Sequence, residues 1–230
     1  MILAFETSAK AASVAILENG KLLGESYQNT GLTHSQTLLQ MAEDTLKTCG
    51  KTAADVKVVA VASGPGSFTG VRIGVAAAKG FAWGAELPCV GVSTLEAMAE
   101  TLGIWEGTVV PTMDARRAQT YTAIFRAEAG KITRLEEDQA ISYAEPGEKI
   151  KNCQKPIFLV GDGAEICYNT LKDAVPGLVL PPEHHRHQRA IGVALVAEKV
   201  QDKPNGGDLK PNYLRLSQAE RERLEKQKKE

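Results

Sequence analysis

The sequence lacks most of the features that would tie a chain directly to a membrane, a metal or a nucleic acid. Its four cysteines, Cys49, Cys89, Cys153 and Cys167, fall neither in close pairs nor at metal-ligand spacing, so they read as reduced thiols acting as small apolar side chains. No apolar run reaches the ~20 residues of a membrane span. No basic stretch precedes the opening "MILAFETS" and no cleavage site follows it, so the expectation is a cytoplasmic protein without membrane contact. Lysine and arginine number 27 against 28 aspartate and glutamate, a formal net charge of −1. That balance provides no general basic field for gripping nucleic acid, so any contact with RNA must be local or shared with a partner. No "HExxH" occurs and no nucleophile stands beside an identifiable general base, which removes the common hydrolase signatures.

What is present is an ordinary globular composition, 43% hydrophobic and 24% charged over 230 residues, long enough for one large domain or two small ones. "MILAFE" and "SVAILE" read as strands, and "NGK" turns the chain into "LLGESYQ". Leu38, Leu39, Ala42 and Leu46 give residues 36–48 a helical stripe. "VKVVAVAS" has the unbroken apolar character of a buried central strand. After it comes "SGPGSFTGVRIG", residues 63–74, then a helix from about Gly70 to Gly84, a strand "PCVGVS" and a short helix "TLEAMAETLG".

The glycine loop matches neither familiar phosphate motif. Gly64, Gly66 and Gly70 are spaced one residue too widely for the dinucleotide fingerprint, and the Gly-Lys-Ser/Thr ending of a P-loop is missing. A strand, a glycine turn and a helix start nevertheless present N–H groups to an anion, to which Ser67, Thr69 and Arg72 add donors. The competing reading is purely geometric: glycine allows a sharp turn and a helix lying close on its sheet.

The second half repeats the first. "FETSAKAASVAILENGK" lies over "MDARRAQTYTAIFRAEAGK" with Glu6 on Asp114, and "VVAVASGPG" is echoed by "PIFLVGDG". "GLVLPP" and "RAIGVALVAEKV" then close the second series as a strand and a helix close the first. Two related α/β halves, each opening with a hairpin whose first strand ends in a carboxylate, resemble the actin, sugar-kinase and Hsp70 superfamily. The fold class expected is therefore α/β, with two ribonuclease-H-like halves: residues 1–105 and 106–216, followed by a charged tail, 217–230. The resemblance implies a nucleotide cleft with Glu6 and Asp114 facing across it; the plainer alternative is that each acid closes a turn.

"SGPGSFTGVRIG", together with "FETS", "THSQTLL", "MDARRAQTY" and "PNYLR", resembles the bacterial TsaB (YeaZ) family over nearly the whole chain, to about Leu216. That family belongs to the machinery that makes threonylcarbamoyladenosine in tRNA, as a degenerate relative of TsaD, the transferase subunit. TsaD-type proteins carry a metal-binding histidine pair, and the resemblance puts Thr94 and Met98 at those positions. Hydroxyl and thioether are poor ligands for a hard Lewis-acid metal, so no metal and no cofactor are expected. His34 reads as a packing histidine at a helix start, and His184, His185 and His187 as part of a solvated loop.

One helix points to a partner instead. Between Ile73 and Ala85 its only charge is Lys79, and small residues lie on all faces. A helix that meets its own sheet on one side and another protein on the other accounts for this, as does an interior helix. The resemblance implies that this helix and the one before it pack on TsaD, or on a second copy when TsaD is absent. The candidate interface residues are Leu39, Met41, Val75, Ala76, Ala77, Ala78 and Phe81. The tail holds five basic and four acidic residues, too balanced to grip tRNA unaided. The resulting expectation is a non-catalytic scaffold that activates TsaD, with the ATPase TsaE and tRNA joining through the complex. The competing class is a nucleotide-dependent hydrolase or phosphotransferase using the cleft.

Overall fold

The computed structural model describes residues 1–103 and 105–215; the predicted tail, 217–230, lies outside them. The first sheet is built from β1 (Ile2–Glu6), β2 (Ala12–Glu18), β3 (Lys21–Gln28), β4 (Val58–Gly64) and β5 (Cys89–Ser93). Helix α1 (His34–Thr48) joins β3 to β4, α2 (Phe68–Gly84) joins β4 to β5, and α3 (Thr94–Glu100) follows. The second sheet is built from β6 (Gly107–Asp114), β7 (Gln119–Glu128), β8 (Lys131–Ser142), β9 (Ile157–Val160) and β10 (Leu178–Val179). Helices α4 (Glu145–Ile150) and α5 (Ala164–Leu171) take the places of α1 and α2, and α6 (Glu183–Arg186) and α7 (Ala190–Lys199) come last.

The strand orders are β3-β2-β1-β4-β5 and β10-β9-β6-β7-β8. Read from the opposite edge, the second order is the first with every number raised by five. The first three strands of each sheet pair antiparallel and the last two join in parallel. The repeat seen in the letters is thus a repeat of topology, and the fold is α/β with two ribonuclease-H-like halves. Helix α4, in "EPGEKI", completes the correspondence; its proline and glycine hid it in the sequence.

Period-two alternation sends the strands' side chains into separate cores. On the first sheet Leu3, Phe5, Val14 and Ile16 face α1 and α2, while Ile2, Ala4, Ala15 and Leu17 face α7. On the second, Val110, Ile124, Ile157 and Leu159 face α5, while Val109, Phe125 and Phe158 face α3.

This arrangement corrects one element of the repeat. Helix α7 closes the second series in sequence, yet Ala190, Val193, Ala194 and Ala197 pack on the first sheet. In exchange, Leu95, Met98 and Ala99 of α3 pack on the second. The two helices cross where Gly192 meets the Ala97 carbonyl, a contact with no room for a Cβ. A boundary near residue 105 therefore separates the sheets but not the cores, because each half's last helix covers the other half's sheet.

Candidate functional site

Between the halves lies a cleft of about 1210 Å³. Its walls are the turn after β1 (Ser8, Ala9, Lys10), the glycine loop (Pro65 to Thr69), the end of β6 (Met113 to Arg116) and the turn after β9 (Gly161, Asp162). Glu183, Arg186 and His187 of the α6 region and the last described segment, Asn212 to Arg215, add to them.

The glycine loop is shaped by what presses on it. Gly64 has φ 117°, and a Cβ there would strike the Asn212 carbonyl, whose own N–H donates to the Ser63 carbonyl at 2.6 Å. A Cβ on Gly66 would stand 2.5 Å from the Ser8 carbonyl oxygen. The same carbonyl accepts from the Ser67 N–H at 2.7 Å. Ser67 caps α2, its hydroxyl accepting from the Gly70 N–H at 3.3 Å. The geometric reading of the loop is fully realised, and it already engages the loop's Ser67 N–H inside the protein.

Glu6 and Asp114 occupy equivalent strand ends and do the same local job. Glu6 Oε1 accepts the Ser8 N–H at 2.6 Å; Asp114 Oδ1 accepts the Arg116 N–H at 2.8 Å and the Tyr143 hydroxyl at 3.2 Å. Their surroundings differ. Glu6 is fully buried behind the cleft wall, and Oε2 has no hydrogen-bond partner among the described residues. Burial raises its pKa from 4.5 to about 7, partly offset by hydrogen bonds from Ser8 and Thr7. Asp114 stands open in the cleft.

A third carboxylate, Asp162, joins them: its Oδ1 accepts the Asp114 N–H at 3.3 Å. Its tip reaches solvent, but the surrounding walls desolvate it and Asp114 repels it, so its pKa is raised despite backbone hydrogen bonds that pull the other way. Asp162 was missed in the sequence, although the alignment of "SGPG" with "VGDG" sets it opposite Pro65. Tyr143 is likewise pushed upward, first by desolvation and then by Asp114.

Neither the nucleotide nor the metal that the sequence resemblances raise is well served. In a nucleotide site the turns after β1 and β6 would offer N–H groups to phosphates. Here Ser8 N–H goes to Glu6, Arg116 N–H to Asp114 and Ala115 N–H to the Gln119 carbonyl. At the positions where the resemblance puts the histidine pair, Thr94 is buried with its hydroxyl unpartnered among the described residues. Met98 lies in the core, its sulfur 3.4 Å from where a Cβ on Gly161 would stand. Alcohol and thioether do not fit a hard metal ion, and the described residues contain no cluster of three or more His, Cys, Asp or Glu side chains placed to bind one.

The other candidates scatter. Gly66, Ser67, Thr69 and Asp114 line the cleft; Glu6, Gly64 and Arg72 do not. Arg72 points outward to Tyr213. Of the interface candidates, Val75 and Ala78 belong to the chain's own core, because their positions on α2 face the first sheet. Met41, Ala77 and Phe81 are partly buried, while Ala76 and Leu39 are exposed. Helix α2 is therefore not apolar all round through burial: its outer side, Ala76, Gly80 and Trp83, lies open, Trp83 at 87%.

His34 bonds through Nε2 to the Ala9 carbonyl at 2.8 Å, as a packing histidine does. The "HHRH" stretch is no loop: its first three residues belong to the single turn of α6, with His185 edge-on to Trp105. All four cysteines are free, and burial holds the Cys89 thiol near 11 and that of Cys167 near 12. No helix among the described residues is long and apolar enough to cross a membrane.

Comparison with known proteins supplies what the cleft does not. A family model described as TsaD, tRNA N6-adenosine threonylcarbamoyltransferase, matches residues 28–222. The chain is 31% identical over 229 residues to the tRNA threonylcarbamoyladenosine biosynthesis protein TsaB of Bacillus subtilis (strain 168), covering 99% of each. It is 36% identical over 184 residues to the protein of the same name from Escherichia coli (strain K12), covering 78% of each. The solved structure of YeaZ from Pseudomonas aeruginosa superposes with a TM-score of 0.76 at 24% identity, over 93% of this chain and 99% of that one.

Proposed function

The chain belongs to the TsaB family and has a role in tRNA threonylcarbamoyladenosine biosynthesis, and on that premise we propose that it serves as a non-catalytic subunit. It scaffolds and activates the transferase TsaD in the cytoplasm by packing α2 and α1 on it. Two copies pair through the same face when TsaD is absent, and TsaE and tRNA are met only through the assembled complex. The two structural units of the subunit are residues 1–105 and 106–216.

One observation carries this reading: from Ala76 to Trp83 the outward side of α2 is apolar and is left uncovered by the other described residues. Trp83 at 87% exposure, with Ala76 and Gly80 beside it and Leu39 at 56% on α1, is a surface suited to burial against another helix. The cleft, with its turn donors engaged internally, gives no comparable argument for turnover within this chain.

The test is reconstitution of threonylcarbamoylation from TsaD, TsaE, the activated threonylcarbamoyl intermediate and unmodified tRNA, with and without this chain. Modified adenosine should form only when it is present, and Ala76→Arg should abolish both complex formation and modification while leaving the monomer folded. Modification that proceeds equally without the chain would refute the proposal. ATP turnover by the chain alone, lost in Glu6→Ala/Asp114→Ala, would move the function into the cleft.

A further inference from the structure

The exposed stripe of α2 begins with a charge. Arg72, Ala76, Gly80 and Trp83 are all exposed and recur at helical spacing on one side. Arg72 is held in an unusual way for a surface arginine. Its guanidinium carbon lies 3.8 Å from the centre of the Phe68 ring, and its Nε donates to the Tyr213 hydroxyl at 2.7 Å. The Tyr213 ring in turn stacks on Phe68, with centroids 4.8 Å apart at 27°. The Nη nitrogens have no partner among the described residues. The other cation of the helix, Lys79, is turned aside, its ammonium donating to the carbonyls of Gly207 at 2.9 Å and Leu209 at 3.1 Å.

An arginine on an exposed helix normally loses side-chain freedom when it binds, and that cost weakens the contact. Here the plane of the guanidinium is set beforehand by one ring below it and one hydroxyl at its edge. The side that remains open is the fork that matches a carboxylate. Arginine and tryptophan are also the residue types that most often carry interface energy, and here they stand at the two ends of a stripe of small residues.

We propose that Arg72, clamped by Phe68 and Tyr213, reads a carboxylate on the protein partner of the α2 face. The same partner offers an apolar socket to Trp83 and a helix that approaches closely over Ala76 and Gly80. Trp83 follows Arg72 by eleven positions, about 16 Å along the helix, so carboxylate and socket stand about three turns apart on the partner. Tyr213 is a positioning residue, which gives the 212–215 segment a part in recognition. This proposal rests on the reading of α2 as the partner face.

The experiment measures complex formation between the full chain and TsaD for Ala76→Arg, Arg72→Ala, Arg72→Lys and Tyr213→Phe, with melting temperatures for each variant. Ala76→Arg tests the face; the others test the clamp. Arg72→Ala should raise Kd by about tenfold or more. Arg72→Lys keeps charge and stem, guards against a folding defect and should lose nearly as much, because an ammonium lacks the fork. Tyr213→Phe keeps the ring stack and should lose a few-fold. The affinity of the wild type, but not of Arg72→Ala, should fall with salt. Wild-type affinity in both Arg72 variants, with binding lost in Ala76→Arg, overturns the clamp and spares the face. Wild-type affinity in all variants overturns the face itself.

Discussion

The two halves share a topology and differ in what each does with it. In both, a strand runs through a glycine turn into a helix whose start presses on the end of the neighbouring first strand. In the first half that helix is α2, with 17 residues, whose outer face is uncovered among the described residues. In the second it is α5, with 8 residues, which covers the second sheet beside α4 and leaves Ile166 at 48% exposure. The equivalent acids diverge likewise: Glu6 is sealed and Asp114 is open to the cleft. The first half also receives α7 and the 212–215 segment from the far end of the chain. The two cores are alike, and each sheet is covered on one face by the other half's last helix; among the described residues the outer side of α2 in the first half stays open. The first half thus adds an exposed helix face, while both halves wall the cleft.

The sharpest way to break the comparison is at the paired glycines. Gly66 and Gly163 are counterparts in "SGPG" and "VGDG". A Cβ on Gly66 would meet the Ser8 carbonyl oxygen at 2.5 Å and the Ser8 Cβ at 2.8 Å. On Gly163 it would come no closer than 3.1 Å, to the Met113 carbonyl carbon. Gly66→Ala must therefore move two turns apart, and should cost about 3 kcal/mol, while Gly163→Ala needs only a few tenths of an ångström and should cost about 1 kcal/mol. Denaturant melts of both variants check the order. Equal losses would mean that the two glycine turns are packed alike.

The paired acids sharpen the contrast through pH. Glu6 keeps its proton to about pH 7 in the folded state, against an ordinary 4.5. Between those values the unfolded chain releases the proton while the folded chain retains it, so stability falls as pH rises and the loss is complete above pH 7. The raised pKa of Asp162 acts with the same sign. Glu6→Gln keeps the acceptor for the Ser8 N–H and removes the charge. Its stability relative to the wild type should therefore rise by about 2–3 kcal/mol between pH 5 and pH 8. Urea unfolding at the two pH values measures this, and a parallel response of both proteins would show that Glu6 is not the buried group responsible.

Much of this fold is legible in the letters because the strands' apolar runs and the two hairpins are set by local sequence. The order of strands in each sheet follows once the repeat is seen. The exchange of α3 and α7 is not legible, since either helix has an apolar face that either sheet would accept; only the crossing at Gly192 and Ala97 decides it. Val75 and Ala78 were misread as partner-facing because an alanine-rich helix has no polar stripe to show which side is out. That Gly66, Ser67, Thr69 and Asp114 reach the cleft wall follows from their places at strand ends and turns. Arg72 was not: its direction is set by Tyr213, 141 positions away.

The smallest effect expected is at the seam between the halves. Arg215 donates through Nη1 to the carbonyl of Ala115 and, at 3.2 Å, to that of Arg116, tying the final segment to the turn after β6. That turn is unusual, with Arg116, Arg117 and Ala118 all at positive φ, between 56° and 64°. A left-handed backbone at three successive non-glycine residues persists only where contacts hold it, and Arg215 is one of them. Arg215→Ala removes two hydrogen bonds from a part-exposed site, so the global loss should be about 1 kcal/mol. The local loss should be larger: amide exchange should quicken at 115–119 and 212–215 while β1 and β4 stay protected. Because Asn212 and Tyr213 hold the other end of the segment to the first half, exchange that rises around Arg116 alone would show a segment anchored at α2. Exchange rising at both ends would show one strap joining the α2 face to the cleft.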